Sequence, residues 1–213
     1  MNNQKTNKAV SRATLERLPK YYAFLAGLLA KGREVVSGTK ISQRFGFDPT
    51  QVRKDIEAAG GQGRPRIGFE IRPTMLAIET FLGWNNTNDA VLVGAGYLGA
   101  ALLGYEGFAG KGLNILAAFD KDPARQKQIN GKTIFDMDRF EDLVKRLGVK
   151  IGVICVPAKD AQSIAELMIQ AKIKAIWNLT PTHLNVPEDI IVEDADLSSS
   201  LSILSGRLAA KNK

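Results

Sequence analysis

The chain has 213 residues, 45% of them hydrophobic, with a formal net charge of +7 and one cysteine. That is room for one large domain or two small ones, and Cys155 alone excludes an internal disulfide or a cysteine-built metal cluster within one chain. No apolar run reaches the ~18 residues of a membrane span. The polar opening MNNQKTNKAV lacks the apolar core of a signal peptide, so a soluble cytoplasmic protein with no membrane partner is expected.

The charge is unevenly placed. Residues 1–84 hold 14 Lys/Arg against 7 Asp/Glu, whereas residues 85–213 hold 15 of each. A basic half joined to a neutral half points to a polyanion partner for the first half.

From Ser11, the stretch SRATLERLPKYYAFLAGLLAKG repeats Leu15, Leu18, Tyr22, Leu25, Leu28 and Leu29 at helical spacing. Pro19 suggests that the helix proper starts there, with proline in its first turn, and Gly32 ends it. Thr39 is expected to cap a short helix running to Phe45, with Gly46 as the turn. Asp48 then caps a third helix that has Pro49 at its first position. Two short helices about a tight glycine turn have the spacing of a helix-turn-helix. With Val52, Ile56 and Ala59 facing inward, the second helix leaves Thr50, Gln51, Arg53, Lys54 and Glu57 outward, and Gln and Arg side chains bridge base edges bidentately. The following GGQGRPRIGFEI reads as a β-hairpin wing carrying Arg64 and Arg66, cations that suit a narrow minor groove. Thr50, Gln51, Arg53, Lys54, Arg64 and Arg66 are thus the candidate contacts to double-stranded DNA. RPTMLAIETFLGW reads as a further helix leading to a junction near residues 84–89.

The second half opens with VLVGAGYLGAALL. Strand residues 90–93 meet Gly94, Ala95, Gly96, Tyr97, Leu98 and Gly99, and a helix follows. Gly94 makes the tight turn, Gly96 lets backbone approach a pyrophosphate, and Gly99 lets helix pack on strand. The helix start presents N–H groups to that pyrophosphate. LNILAAFD supplies a second strand ending at Asp120, about twenty residues past Gly99, where a carboxylate accepts from ribose hydroxyls and disfavours a 2′-phosphate. NAD(H) is therefore expected over NADP(H), an inference that the adjacent Lys121 weakens slightly.

A helix over residues 138–147, the strand IGVICV, a helix from Ala158 to Ala171, and the strands KAIWNL and DIIVE complete a mostly parallel sheet. Loops at the carboxyl ends of strands carry the dinucleotide, which puts Val156, Pro157, Asn178, Thr180 and Pro181 at the nicotinamide end. One reading of such a chain is a small NAD-dependent oxidoreductase with a basic N-terminal appendage. Turnover needs a substrate pocket and a group that moves a proton. Only about 20 residues follow the last strand, too few for a substrate domain. His183 lies in a loop, Cys155 within an apolar strand, and no metal-ligand cluster is visible. No catalytic residue is assigned.

These pieces, in this order, resemble the Rex family of redox-sensing transcriptional repressors. ATLERLPKYYAFL is similar to the family's first helix, QVRKD to its recognition helix and VGAGYLGAALLGY to its fingerprint. AAFDKDP, VPAKDAQSIAELM, AIWNLTPTHLNVP and VEDADL continue the match. The resemblance implies an α/β architecture: an N-terminal winged helix-turn-helix domain (1–84), a C-terminal Rossmann NAD-binding domain (85–194) and a domain-swapped C-terminal helix and tail (195–213). It implies a homodimer that binds a palindromic operator and leaves it when NADH/NAD+ rises. It also implies coupling through Tyr105, at the end of the fingerprint helix, and Asp196, at the start of the swapped helix. The sequence departs from the family in its wing (Pro65-Arg66-Ile67-Gly68-Phe69), in the IEAAG that ends the recognition helix, and at Ala23, where many members carry Arg.

Overall fold

A computed structural model describes residues 10–195 and 197–211. The chain forms two compact units, Met1–Asn86 and Thr87–Lys213.

In the first unit, α1 spans Arg12–Leu29 and is capped by Ser11, whose Oγ accepts from the Thr14 N–H at 3.2 Å. The helix thus begins two turns earlier than Pro19 suggests, and the proline sits inside it. Proline removes one intrahelical bond, to the Leu15 carbonyl. Leu15 lies on the exposed side of the helix (43%), where solvent can satisfy a carbonyl that lacks an intrahelical partner. The buried stripe is Thr14, Leu18, Tyr21 and Leu25, so Tyr21, not Tyr22, enters the core.

Helix α2 (Gly38–Phe45) is capped by Ser37 rather than Thr39. Gly46 closes it in the left-handed conformation (φ 71°), which glycine adopts without a Cβ penalty. Helix α3 (Pro49–Ala58) starts as expected, with the Asp48 carboxylate accepting from Thr50 and Gln51 N–H at 2.7 and 3.2 Å. A short strand that the sequence did not announce, β1 (Val35–Val36), pairs with β3 (Gly68–Glu70), which pairs in turn with β2 (Gly63–Arg64). Phe69 is buried in this hairpin, and α4 (Ile71–Phe81) follows directly. Leu18, Leu25, Ile41, Val52, Ile56 and Ile78 form the centre of one core.

The second unit alternates strand and helix: β4 (Asn88–Val93), α5 (Tyr97–Leu103), β5 (Leu113–Phe119), β6 (Gln128–Ile129), β7 (Lys132–Phe135), α6 (Phe140–Leu147), β8 (Ile151–Ile154), α7 (Ala158–Gln170), β9 (Ala175–Asn178), β10 (Ile191–Asp194) and α8 (Leu197–Lys211). The sheet order is β10-β9-β8-β4-β5-β7-β6, parallel except for the β6–β7 hairpin. That hairpin was not legible in the sequence. Strand β4 sits at the centre, with Ala90 and Leu92 in the core on one face and Val91 and Val93 in the core on the other. The chain winds outward from β4 through β5 and then returns to β8 on its other side. The reversal opens a crevice at the carboxyl ends of β4 and β8, the place where such sheets take ligands. Leu201, Ile203, Leu204 and Leu208 of α8 are each about 60% exposed.

Candidate functional site

The crevice is a cleft of about 620 Å³ lined by Gly94, Asp120, Lys121, Arg125, Cys155, Val156, Pro157 and Lys159, among others. Gly94 brings the glycine turn to its wall, and the three glycines of that turn are not there for one reason. At Gly94 (φ 98°) a Cβ would stand 2.4 Å from the Cys155 carbonyl oxygen, and at Gly99 it would stand 1.9 Å from the Gly94 carbonyl oxygen. Both are demands of the fold. At Gly96 a Cβ would meet only Arg125 Nη1, at 3.3 Å, so the demand there comes from whatever the turn must hold. A turn left open above a helix start suits a phosphate group.

Asp120 directly follows β5 and is 6% exposed. Its Oδ2 accepts from the Ala95 N–H at 2.7 Å, and its Oδ1 from the Asp122 N–H at 2.9 Å. An ionised carboxylate has about four lone-pair sites, so capacity is left for sugar hydroxyls. Lys121 reaches across to Asp160 (3.3 Å). Tyr97 is fully exposed and Leu98 41% exposed, both at the start of α5. Cys155 lines the cleft, but burial pushes its thiol up to about 12, which leaves it protonated and weakly nucleophilic. His183 is an exposed loop residue with Nδ1 3.6 Å from Asp194 Oδ2.

The loop after β9 differs from expectation. Asn178 is completely buried, and its amide is fully used: Nδ2 donates to the Thr182 carbonyl and to Asp194 Oδ1, both at 2.7 Å, while Oδ1 accepts from the Thr180 N–H and hydroxyl at 3.1 and 2.8 Å. The Asn178 and Thr180 side chains therefore hold the loop's shape, and neither lines the cleft. Pro181 is exposed on the same loop. The Ala195 N–H donates to the Asn178 carbonyl at 2.8 Å, so this loop and the chain entering α8 are one hydrogen-bonded piece. Among the described residues no cluster of His, Cys, Asp and Glu is arranged to hold a metal.

On the first unit, Arg53, Glu57, Arg64 and Arg66 border a groove of about 390 Å³ between α3 and the wing, floored by Phe69. Thr50, Arg53 and Lys54 are exposed on α3. Gln51 is not outward: it is half-buried, and its Nε2 donates to Asp55 Oδ1 at 2.8 Å. Arg64 pairs with Glu70 across the hairpin at 2.8 Å, whereas Arg66 stands at the tip with φ 65°, a conformation strained for a side-chain-bearing residue.

Sequence reasoning missed Asp55. This carboxylate is 1% exposed and also accepts from Arg17 Nε (2.6 Å) and Nη2 (2.8 Å), Tyr21 OH (3.0 Å) and Thr14 Oγ1 (3.0 Å). Burial alone would raise its pKa, yet the donors hold it below the usual carboxylate range. Tyr21 is pushed up, first by burial and then by Asp55. The bidentate Arg17–Asp55 pair bolts α3 to α1, and so fixes the angle at which α3 presents its outer face.

Tyr105 lies just past α5, beyond the Gly104 cap, and is 58% exposed with its ring edge-on to Phe108 at 4.8 Å. Asp196 lies outside the described residues.

Residues 9–56 match a family model described as "Putative DNA-binding protein N-terminus", and residues 85–182 one described as "CoA binding domain". A redox-sensing transcriptional repressor Rex of Treponema denticola is 40% identical over 96% of this chain and 98% of its own. The crystal structure of RSP in complex with NAD+ and operator DNA aligns with a TM-score of 0.88 at 34% identity, covering 95% of this chain and 94% of that one. The same protein in complex with NADH gives 0.89 at 33% identity, covering 96% of each chain.

Proposed function

The chain belongs to the Rex family of redox-sensing transcriptional repressors, and from that premise we propose that it binds a palindromic operator as a homodimer and releases it as NADH/NAD+ rises. It is a repressor and not an enzyme. The observation that carries the reading is the pairing of two separate devices on one chain: a basic recognition helix with a wing, and a glycine turn closed by an acid-terminated strand. The cleft fits an adenosine pyrophosphate, which CoA and NAD share. Asp120 then argues for NAD(H), because CoA and NADP(H) carry a phosphate on the adenosine ribose that a buried carboxylate would repel.

NADH and NAD+ differ at the nicotinamide, so discrimination arises there. Val156 and Pro157 give that end an apolar lining, which penalises the positive ring of NAD+. The loop of Asn178, Thr180 and Pro181 is tied through Asp194 and Ala195 to the entry of α8. A shift at that loop is thereby carried to the helix we assign, with Tyr105 and Asp196, to the dimer contact. Exposed Leu201, Leu204 and Leu208 fall on one face of α8 at i, i+3 and i+7, an apolar stripe that a partner subunit would cover. In the operator-bound dimer, the paired α3 helices would stand ~34–36 Å apart, one turn of the duplex. The protein would act in the cytoplasm, where DNA and the dinucleotide pool meet, and no described helix is long and apolar enough to cross a membrane.

On α3, Arg53→Ala and Lys54→Ala are each expected to weaken operator binding. If the side chain meets phosphate, the salt slope falls by about one and all sequences lose affinity alike. If it meets a base edge, the loss is ~1–3 kcal/mol on the operator alone. Fluorescence anisotropy over a salt series distinguishes the two, and unchanged affinity in both variants sinks the interface. The switch itself is tested by linkage: operator must weaken NADH binding by the same factor that NADH weakens operator binding. Equal NADH affinity with and without saturating operator would mean that the protein binds both partners but couples neither to the other.

A further inference from the structure

We propose that Arg125 is the cation that holds the dinucleotide's pyrophosphate over the glycine turn, a role resting on the NAD(H) reading of the cleft. Arg125 follows β5 in a short turn of 3-10 helix, Pro123–Arg125, started by Asp122. Its Nη1 lies 3.3 Å from the point where a Cβ on Gly96 would be, so the guanidinium overhangs the one open position of the turn. Its other partners are the carboxylates of Asp120, Nη1 to Oδ2 at 3.4 Å, and of Asp122, Nε to Oδ2 at 3.4 Å. Both contacts are long compared with the 2.7–2.9 Å of a strong charge-assisted bond. They engage two of five donors on a side chain that is 48% exposed. The guanidinium is therefore held in place by weak contacts and has donors left for an anion.

The charge balance supports the same role. Asp120, Asp122 and Asp160 face Lys121, Arg125 and Lys159 around the cleft, three of each sign. Lys121 is engaged by Asp160 on the far side. Without Arg125, a pyrophosphate carrying about two negative charges would sit beside the buried Asp120 carboxylate with only Lys159 and backbone N–H groups left to offset the repulsion. Arg125 neutralises Asp120 from one side and offers its remaining N–H groups to the pyrophosphate from the other. The carboxylate that selects the ribose is thus made compatible with the anion next to it. Because NADH and NAD+ share that pyrophosphate, the role governs affinity for both and discrimination between neither.

The test is calorimetric titration of the full-length protein and of Arg125→Ala and Arg125→Gln with NADH, NAD+, ADP-ribose, NADPH and adenosine. Both variants should lose roughly ten- to hundredfold in affinity for NADH, NAD+ and ADP-ribose alike, the usual cost of a lost charged hydrogen bond. Adenosine should bind as before, and the salt dependence of ADP-ribose binding should flatten. Unchanged adenosine binding also shows that the cleft stays folded. An adenosine loss equal to the ADP-ribose loss would show that Arg125 serves the ribose through Asp120, and would overturn the assignment. A loss confined to NADPH would overturn it in favour of a 2′-phosphate contact. Wild-type protein that binds NADH beside variants that bind it equally well sinks Arg125 alone. Wild-type protein that takes up neither NADH nor ADP-ribose overturns the NAD(H) reading together with this one.

Discussion

Asp55→Ala is expected to unfold or severely loosen the DNA-binding unit while leaving nucleotide binding intact. The substitution removes the acceptor for four side chains and leaves the Arg17 guanidinium, 17% exposed, without its carboxylate. Breaking a buried ion pair from one side costs about 3–5 kcal/mol. Partial access of Arg17 to water argues for the lower end of that range, which is still a large share of the ~5–15 kcal/mol that holds a domain. Asp55→Asn should recover only part of the loss, because its amide NH2 would confront donors on Arg17 or Tyr21. The ion pair also sets an acid limit. The folded-state pKa of Asp55 is depressed, so its contribution is complete above the ordinary Asp range and is lost as pH falls through the lower, folded value. In the Asn variant that part of the acid sensitivity should vanish. Urea melts from pH 3 to pH 7, together with operator and NADH titrations, check all of this. Operator affinity and melting midpoint both equal to wild type would refute the role given to Asp55.

Gly96→Val should give the complementary phenotype: a folded repressor that binds operator and no longer responds to NADH. A Cβ there meets only the guanidinium end of Arg125, and the backbone (φ −65°, ψ −169°) is extended and open to any residue. The new side chain fills the space that the pyrophosphate needs. Gly94→Ala and Gly99→Ala should differ from it, losing stability first, because the added Cβ strikes backbone in both. A gel shift with and without NADH, paired with a thermal melt, separates the three. Operator release by NADH from the Gly96→Val protein would displace the pyrophosphate from this turn.

Much of this was legible in the sequence where local rules operate. Asp48 and Pro49 start α3, Gly46 stops α2, and the glycine fingerprint with Asp120 lies where strand, turn and helix require it. The rest depended on partners distant in the chain. Asp55 reads as one more polar residue on an amphipathic helix until α1, 34 to 41 residues earlier, brings Thr14, Arg17 and Tyr21 to it. The same distance hid the inward turn of Gln51 and the full commitment of Asn178 to Asp194. Pro19 misled because the breaker rule assumes a helix that cannot spare a bond, whereas packing of Leu18, Tyr21 and Leu25 outweighs one missing on the wet side. Strands β1 and β6 are two residues each, too short for alternation to show.

Cys155 has a consequence for what the cell can tell this protein. Burial pushes its thiol up to about 12, so the thiolate that peroxides and disulfides attack is scarce at pH 7. The one sulfhydryl in the chain is therefore a poor target for the oxidants that trip thiol-based stress sensors, even though it lines the cleft. A burst of peroxide that leaves the dinucleotide pool unchanged should leave operator occupancy unchanged as well. A repressor so built would answer to the dinucleotide pool and not to oxidation of its own thiol.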